Sequence, residues 1–117
     1  MPVLARTLEA AGLSTLLITP MPYWAERIGV PRTLAVEYPF GHAFGLPGNS
    51  GMQRRILLEA FVALENISSP GTIVHSEQVW PGEVEEAIQL WQPLEASPII
   101  AELAPKFRDI LRSRGKA

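Results

Sequence analysis

A carboxylate, a phenol and an imidazole fall within six positions at Glu37, Tyr38 and His42. They open the stretch Glu37-Tyr38-Pro39-Phe40-Gly41-His42-Ala43-Phe44-Gly45-Leu46-Pro47-Gly48-Asn49-Ser50-Gly51. Such groups can pass protons, and the imidazole is the one that ordinarily titrates near neutrality. His42, Tyr38 and Glu37 are therefore the candidate catalytic residues. Asn49, Ser50 and Gly51 close the stretch where a helical pattern begins. Backbone N–H groups left free at such a start can hold an anion or a carboxylate. With Gly41, and with Thr19 and Tyr23 after an earlier strand-like run, they make up the candidate substrate-binding set, for a small anionic ligand. The plainer use of Asn49 and Ser50 is to cap the helix, and of the glycines to permit turns.

The elements that must position these residues are legible from periodicity. Val3, Leu4, Leu8 and Ala11 recur at helical spacing, and Gly12 stops that helix. Leu13 to Thr19 is a short apolar run rich in β-formers, which predicts a strand covered on both faces. Pro22 opens a short helix through Ile28, and Thr33 to Glu37 reads as a second strand. A strand, helix, strand order favours parallel pairing, so the loop leaves the carboxyl end of the second strand. There, outside the strand ends, open parallel sheets bind ligands.

Beyond the loop, Ser50 and Gln53 have the spacing of a capping box, and Met52, Ile56, Leu57, Ala60, Phe61 and Leu64 mark the apolar face of a helix reaching about Asn66. Thr72 to His75, extending toward Trp80, is a third strand. Pro81 opens a helix with acidic Glu83, Glu85 and Glu86 at its start and Val84, Ala87, Ile88 and Trp91 as its buried stripe. A segment without regular pattern, 92–96, precedes a last helix capped by Ser97. In it Ile99, Ile100, Leu103, Phe107, Ile110 and Leu111 keep phase, and Pro105 should kink or split it. The expected fold class is α/β: three-layer, a mainly parallel sheet of three or more strands with about five helices.

The 117 residues suit one domain, 1–117, with a basic C-terminal helix and tail over 106–117. Apolar residues make up 47%, charged residues 19%, and the net charge is −2. That balance argues against a nucleic-acid partner. No apolar run reaches membrane-spanning length and the first residues lack a signal-peptide order, so the expectation is a cytoplasmic protein with no membrane. Lys and Arg are absent from Ile56 to Pro105, whereas Lys106, Arg108, Arg112, Arg114 and Lys116 crowd the end. These suit either an acidic docking partner or a helix C-terminus.

There is no cysteine, which excludes thiolate nucleophiles and cysteine metal sites within these residues. His42 and His75 are isolated and have no H-x-x-x-H spacing, so no metal and no other cofactor is expected. The glycines fit neither G-x-G-x-x-G nor the phosphate loop, and there is no G-x-S-x-G elbow.

The runs LEAAGLSTLLITPMP and RIGVPRTLAVEYPFG, followed by a Gly/Pro/Asn loop and the helix RRILLEAFVAL, resemble the C-terminal part of selenoprotein B, the large substrate-binding subunit of the glycine, sarcosine, betaine and D-proline reductases. Glu9, Ala11, Gly12, Pro31, Ala35, Pro39 and Gly41 match its order of small residues over about the first half of the chain. The resemblance implies a role in reductive C–N cleavage, in which a selenocysteine or cysteine takes part. In that family this residue lies just before the helix corresponding to Pro2 to Ala11, so it has no counterpart here. Tyr38 also stands where that family carries a histidine, and His42 is out of register with it.

Three readings follow. The first is a small subunit, completing a reductase substrate site with a separate chain that carries the cysteine or selenocysteine. The second is a noncatalytic module for small-ligand binding or protein interaction, including a homo-oligomer. The third is an independent enzyme using His42, Tyr38 or Glu37.

Overall fold

The computed structural model describes residues 1–91 and 97–114, with side chains over 1–89 and 97–106. Among these the order is α1 (Pro2–Ala10), β1 (Leu17–Thr19), α2 (Pro22–Ile28), β2 (Arg32–Glu37), α3 (Ser50–Asn66), β3 (Thr72–Val79), α4 (Val84–Trp91) and α5 (Pro98–Arg114). The strands form a parallel sheet in the order β1-β2-β3. The expected α/β class with a parallel sheet is what the chain adopts.

Strand alternation sends successive side chains to opposite faces. Ile18 lies opposite Leu34 in the register, and both meet α3, where Leu34 and Val36 pack with Met52, Ile56 and Ala60. Leu17, opposite Thr33, turns the other way and packs with Ala5 of α1, Ala25 of α2 and Val30. Helices thus cover both faces of the sheet. Ile56 and Leu34 have essentially no exposure, and truncating either to alanine should cost about 2–5 kcal/mol.

Local chemistry explains the element ends. Gly29 ends α2 at φ 74°, and its N–H and that of Val30 both donate to the Ala25 carbonyl, a cap that only a left-handed residue can make without strain. Arg6 donates to the Ile28 carbonyl at 3.0 Å, holding α1 to the end of α2. The strand expected from Leu13 starts only at Leu17. Glu9 explains the delay, because its carboxylate takes both the N–H and the hydroxyl of Thr15, at 2.7 and 3.0 Å. That segment is tied to α1, and Leu13 is left exposed.

The expected buried faces of two helices are corrected. In α3 the buried residues are Met52, Ile56, Ala60 and Ala63, while Leu57, Leu58, Phe61 and Val62 are exposed. The small alanines let the helix approach the sheet and turn its larger residues outward. In α4, which begins at Val84 and not at Pro81, Ala87 is buried but Val84 and Ile88 are exposed. Helical phase specifies a face; it does not guarantee that another element covers it.

Pro105 lies inside α5, which runs through it without a break in its helical span; the expected split is not seen. The segment 92–96, the tail 115–117 and the side chains of Trp91, Phe107, Ile110 and Leu111 lie outside the described residues. No described helix is long and apolar enough to cross a membrane.

Candidate functional site

Because β1 and β2 are adjacent and parallel, the turn at Pro20 and the loop after Glu37 leave the same edge of the sheet. The loop has no regular element, yet it is not slack. Turns close from His42 N–H to the Pro39 carbonyl at 3.0 Å, from Gly45 N–H to His42 at 2.8 Å, and from Asn49 N–H to Leu46 at 3.1 Å. Gly45 sits at φ 96°, and a Cβ there would fall 2.5 Å from the Met52 sulfur. Glycine is thus required both for the backbone angle and for the close approach to α3.

Between this loop and Pro20 lies a crevice of about 540 Å³, lined by Pro20, Phe40, Gly41, His42, Ala43, Phe44, Gly45 and Pro47. It is an apolar hollow with an imidazole in its wall. His42 is 6% exposed. Its Nε2 lies 3.2 Å from the Ala87 carbonyl oxygen of α4, and its ring centroid is 5.4 Å from that of Trp80. A carbonyl oxygen can only accept, so this contact is a hydrogen bond when Nε2 carries the proton; in the neutral ring Nδ1 is then the acceptor.

The structure brings His42 and Gly41 to the crevice; none of the other candidates is among its described lining residues. Tyr38 is buried against α3 with its ring 5.5 Å from Trp80. Burial, and then the nearby Glu59 carboxylate, push its phenol above the ordinary value, and its hydroxyl has no hydrogen-bond partner among the described residues. It belongs to the packing behind the loop. Glu37 ends β2, exposed to solvent. The Thr19 hydroxyl accepts from Met21 N–H at 3.0 Å, turning the chain after β1. Tyr23 is exposed on α2, edge-on to Trp24, with the Arg27 guanidinium 5.1 Å from its ring centre.

At the start of α3 the expectation of free amides is corrected. Asn49 is the cap, its Oδ1 accepting from Met52 N–H at 3.0 Å. The Asn49 N–H goes to Leu46 and the Ser50 N–H to Gly48. The Asn49, Ser50 and Met52 amides are thus used within the chain, and Asn49 replaces Ser50 as the capping residue.

Sequence reasoning missed Trp80 and Ala87, which back His42 from β3's end and α4. A main-chain acceptor such as the Ala87 carbonyl carries no residue-type signal, and Trp80 was legible only as a strand terminus.

Fold and crevice together define a small parallel α/β protein with a histidine-bearing hollow at the carboxyl end of its strands. No family model matches the chain, and no solved structure matches it. Over 72 residues, 62% of its length, it is 33% identical to the D-proline reductase subunit gamma of Acetoanaerobium sticklandii. The chain spans 30% of that subunit's length. This is a distant similarity to a reductase subunit.

Proposed function

We propose that this chain is a subunit of a reductase of the glycine, sarcosine, betaine and D-proline type, and that its crevice forms one wall of the site for a small amino acid. The observation that carries the reading is the 33% identity over 72 residues to a D-proline reductase subunit. A crevice at the carboxyl ends of parallel strands supports it. In this reading the thiol or selenol for reductive C–N cleavage, which the 117 residues lack, is carried by a separate cysteine- or selenocysteine-bearing chain.

In this arrangement His42 is the polar group of the wall. It donates through Nε2 to Ala87 and offers Nδ1 as an acceptor to a substrate N–H or ammonium. Gly41 lets the backbone come close to the ligand. Glu37 and Thr19, at the ends of β2 and β1, and Tyr23 on α2 form a rim that faces the other chain. Asn49, Ser50 and Gly51 hold the loop in place through the start of α3. Tyr38 keeps Trp80, and through it His42, in position.

The test is reductase turnover by the reconstituted assembly. Omitting this chain should abolish turnover of the amino-acid substrate, and His42→Ala should lower it at least tenfold while the assembly still forms. Equal turnover with and without this chain would remove the reading. A noncatalytic role is favoured by the anchoring of His42 on Ala87 and Trp80; it predicts a His42→Ala chain that loses stability and leaves turnover unchanged.

A further inference from the structure

A second hollow, of about 590 Å³, lies at the other end of the sheet, where α3 ends and β3 begins. Its apolar lining includes Leu58 and Val62 of α3, Ile67, and Val74 of β3, with Glu59 and Glu77 on its wall. Leu58 and Val62 are more than half exposed. Beside the hollow β3 forms an edge of the described sheet, and Phe61 extends the apolar surface along α3. A continuous apolar surface of this kind marks an interaction site.

The charge pattern says what fits it. Two carboxylates, Glu59 and Glu77, line it, and no Lys or Arg occurs from Ile56 to Pro105. The complementary element is in the same chain. α5 carries Ile99, Ile100 and Leu103, followed by Lys106, Arg108, Arg112 and Arg114. Its Ile99 and Ile100 are 64% and 58% exposed, and none of the described α5 side chains is among the residues lining the hollow. The radius of gyration is 19.1 Å, against about 13 Å for a compact domain of roughly 100 residues. The groove and the helix that suits it are therefore both open in one copy.

We infer that two copies of this chain pair by exchange, α5 of each lying in the α3–β3 groove of the other. Ile99 and Ile100 enter between Leu58, Val62 and Val74, and the basic half of the helix runs along the glutamate-bearing side. This is a helix-in-groove contact, repeated by a two-fold axis so that it closes at the dimer. It lies at the opposite end of the sheet from the crevice and does not depend on the proposed reductase role.

The absence of cysteine makes the test clean. One preparation carries Leu58→Cys and another Ile100→Cys; the two are mixed and treated with a short bis-maleimide. The expected product is a covalent species of twice the 12.9 kDa chain mass joining one copy of each kind. Sedimentation should give a dimer for the unaltered chain, weakened by added salt. Ile99→Asp with Ile100→Asp, or Val62→Glu alone, should raise its dissociation constant at least tenfold with an unchanged circular dichroism spectrum. A monomer at ~100 μM would overturn the inference. So would cross-linking only within a single copy carrying both cysteines, which would put α5 in its own groove. A dimer indifferent to the α5 and Val62 substitutions would also overturn it, placing the contact elsewhere.

Discussion

The His42 imidazole reaches across from the loop after β2 to the Ala87 carbonyl of α4, 3.2 Å away. With Ala87 itself buried and Trp80 against the same ring, this contact joins the crevice wall to the helix that follows β3. His42→Ala should therefore cost about 1–3 kcal/mol, read by urea denaturation. Amide exchange over Val84–Trp91 should speed up more than exchange in β2. A substitution without effect on α4 exchange would show that the contact does not hold the helix.

The loop's shape depends on Gly45. Alanine there meets both an unfavourable positive φ and the Met52 side chain, and should cost about 2–4 kcal/mol. Pairing Gly45→Ala with Met52→Ala should recover the steric part and leave the backbone part. That split is measured by comparing the single and double variants. Measured against Met52→Ala alone, losses that simply add in the double variant would mean that Met52 does not limit the space.

Two buried hydroxyls, Thr33 Oγ1 and Tyr38 Oη, have no hydrogen-bond partner among the described residues. Burying such a group unpaired costs about 1–3 kcal/mol. Thr33→Val and Tyr38→Phe should accordingly be neutral or stabilising by up to that amount in thermal denaturation. Marked destabilisation by Tyr38→Phe would reveal a partner for the phenol, and so a role beyond packing.

How much of this was readable beforehand follows from which residues carry it. Helix phase and the Pro–Gly punctuation located every described helix, because Pro22, Gly29 and Pro98 act through the local backbone. The parallel sheet followed from element order. The outward turn of Leu57 and Phe61 was not legible, since Ala60 and Ala63 decide it through how closely α3 approaches the sheet. Nor was the use of the Asn49 and Ser50 amides, which depends on the turns at Leu46 and Gly48. Of the candidate residues, His42 and Gly41 reach the crevice because they belong to the loop itself. Tyr38 does not, because the β2 alternation that buries Leu34 and Val36 carries on into it.

Glu9 gives the fold an acid limb. Its carboxyl is held below its ordinary value of about 4.5, first by the Thr15 N–H and also by Arg32, with partial burial opposing them. Arg32 is its ion-pair partner, so α1 is fixed to the first residue of β2. A carboxyl depressed in the folded state adds stability above its ordinary pKa and loses it as pH falls through the folded value. Stability should drop below about pH 4.5. Glu9→Gln should remove about 1 kcal/mol at pH 7 and flatten the acid slope. An unchanged slope in denaturation curves from pH 7 to pH 3 would contradict this.

The central proposal is that this protein completes a reductase site whose reacting thiol or selenol is carried by another chain. Its most direct measurement is isolation of the tagged, full-length protein from its native cells under reducing conditions, followed by mass spectrometry of what accompanies it. The account predicts a stoichiometric partner containing a reactive cysteine or selenocysteine, and amino-acid reductase activity in the isolated complex. Recovery of this chain free of any such partner, with the activity found elsewhere, would contradict it.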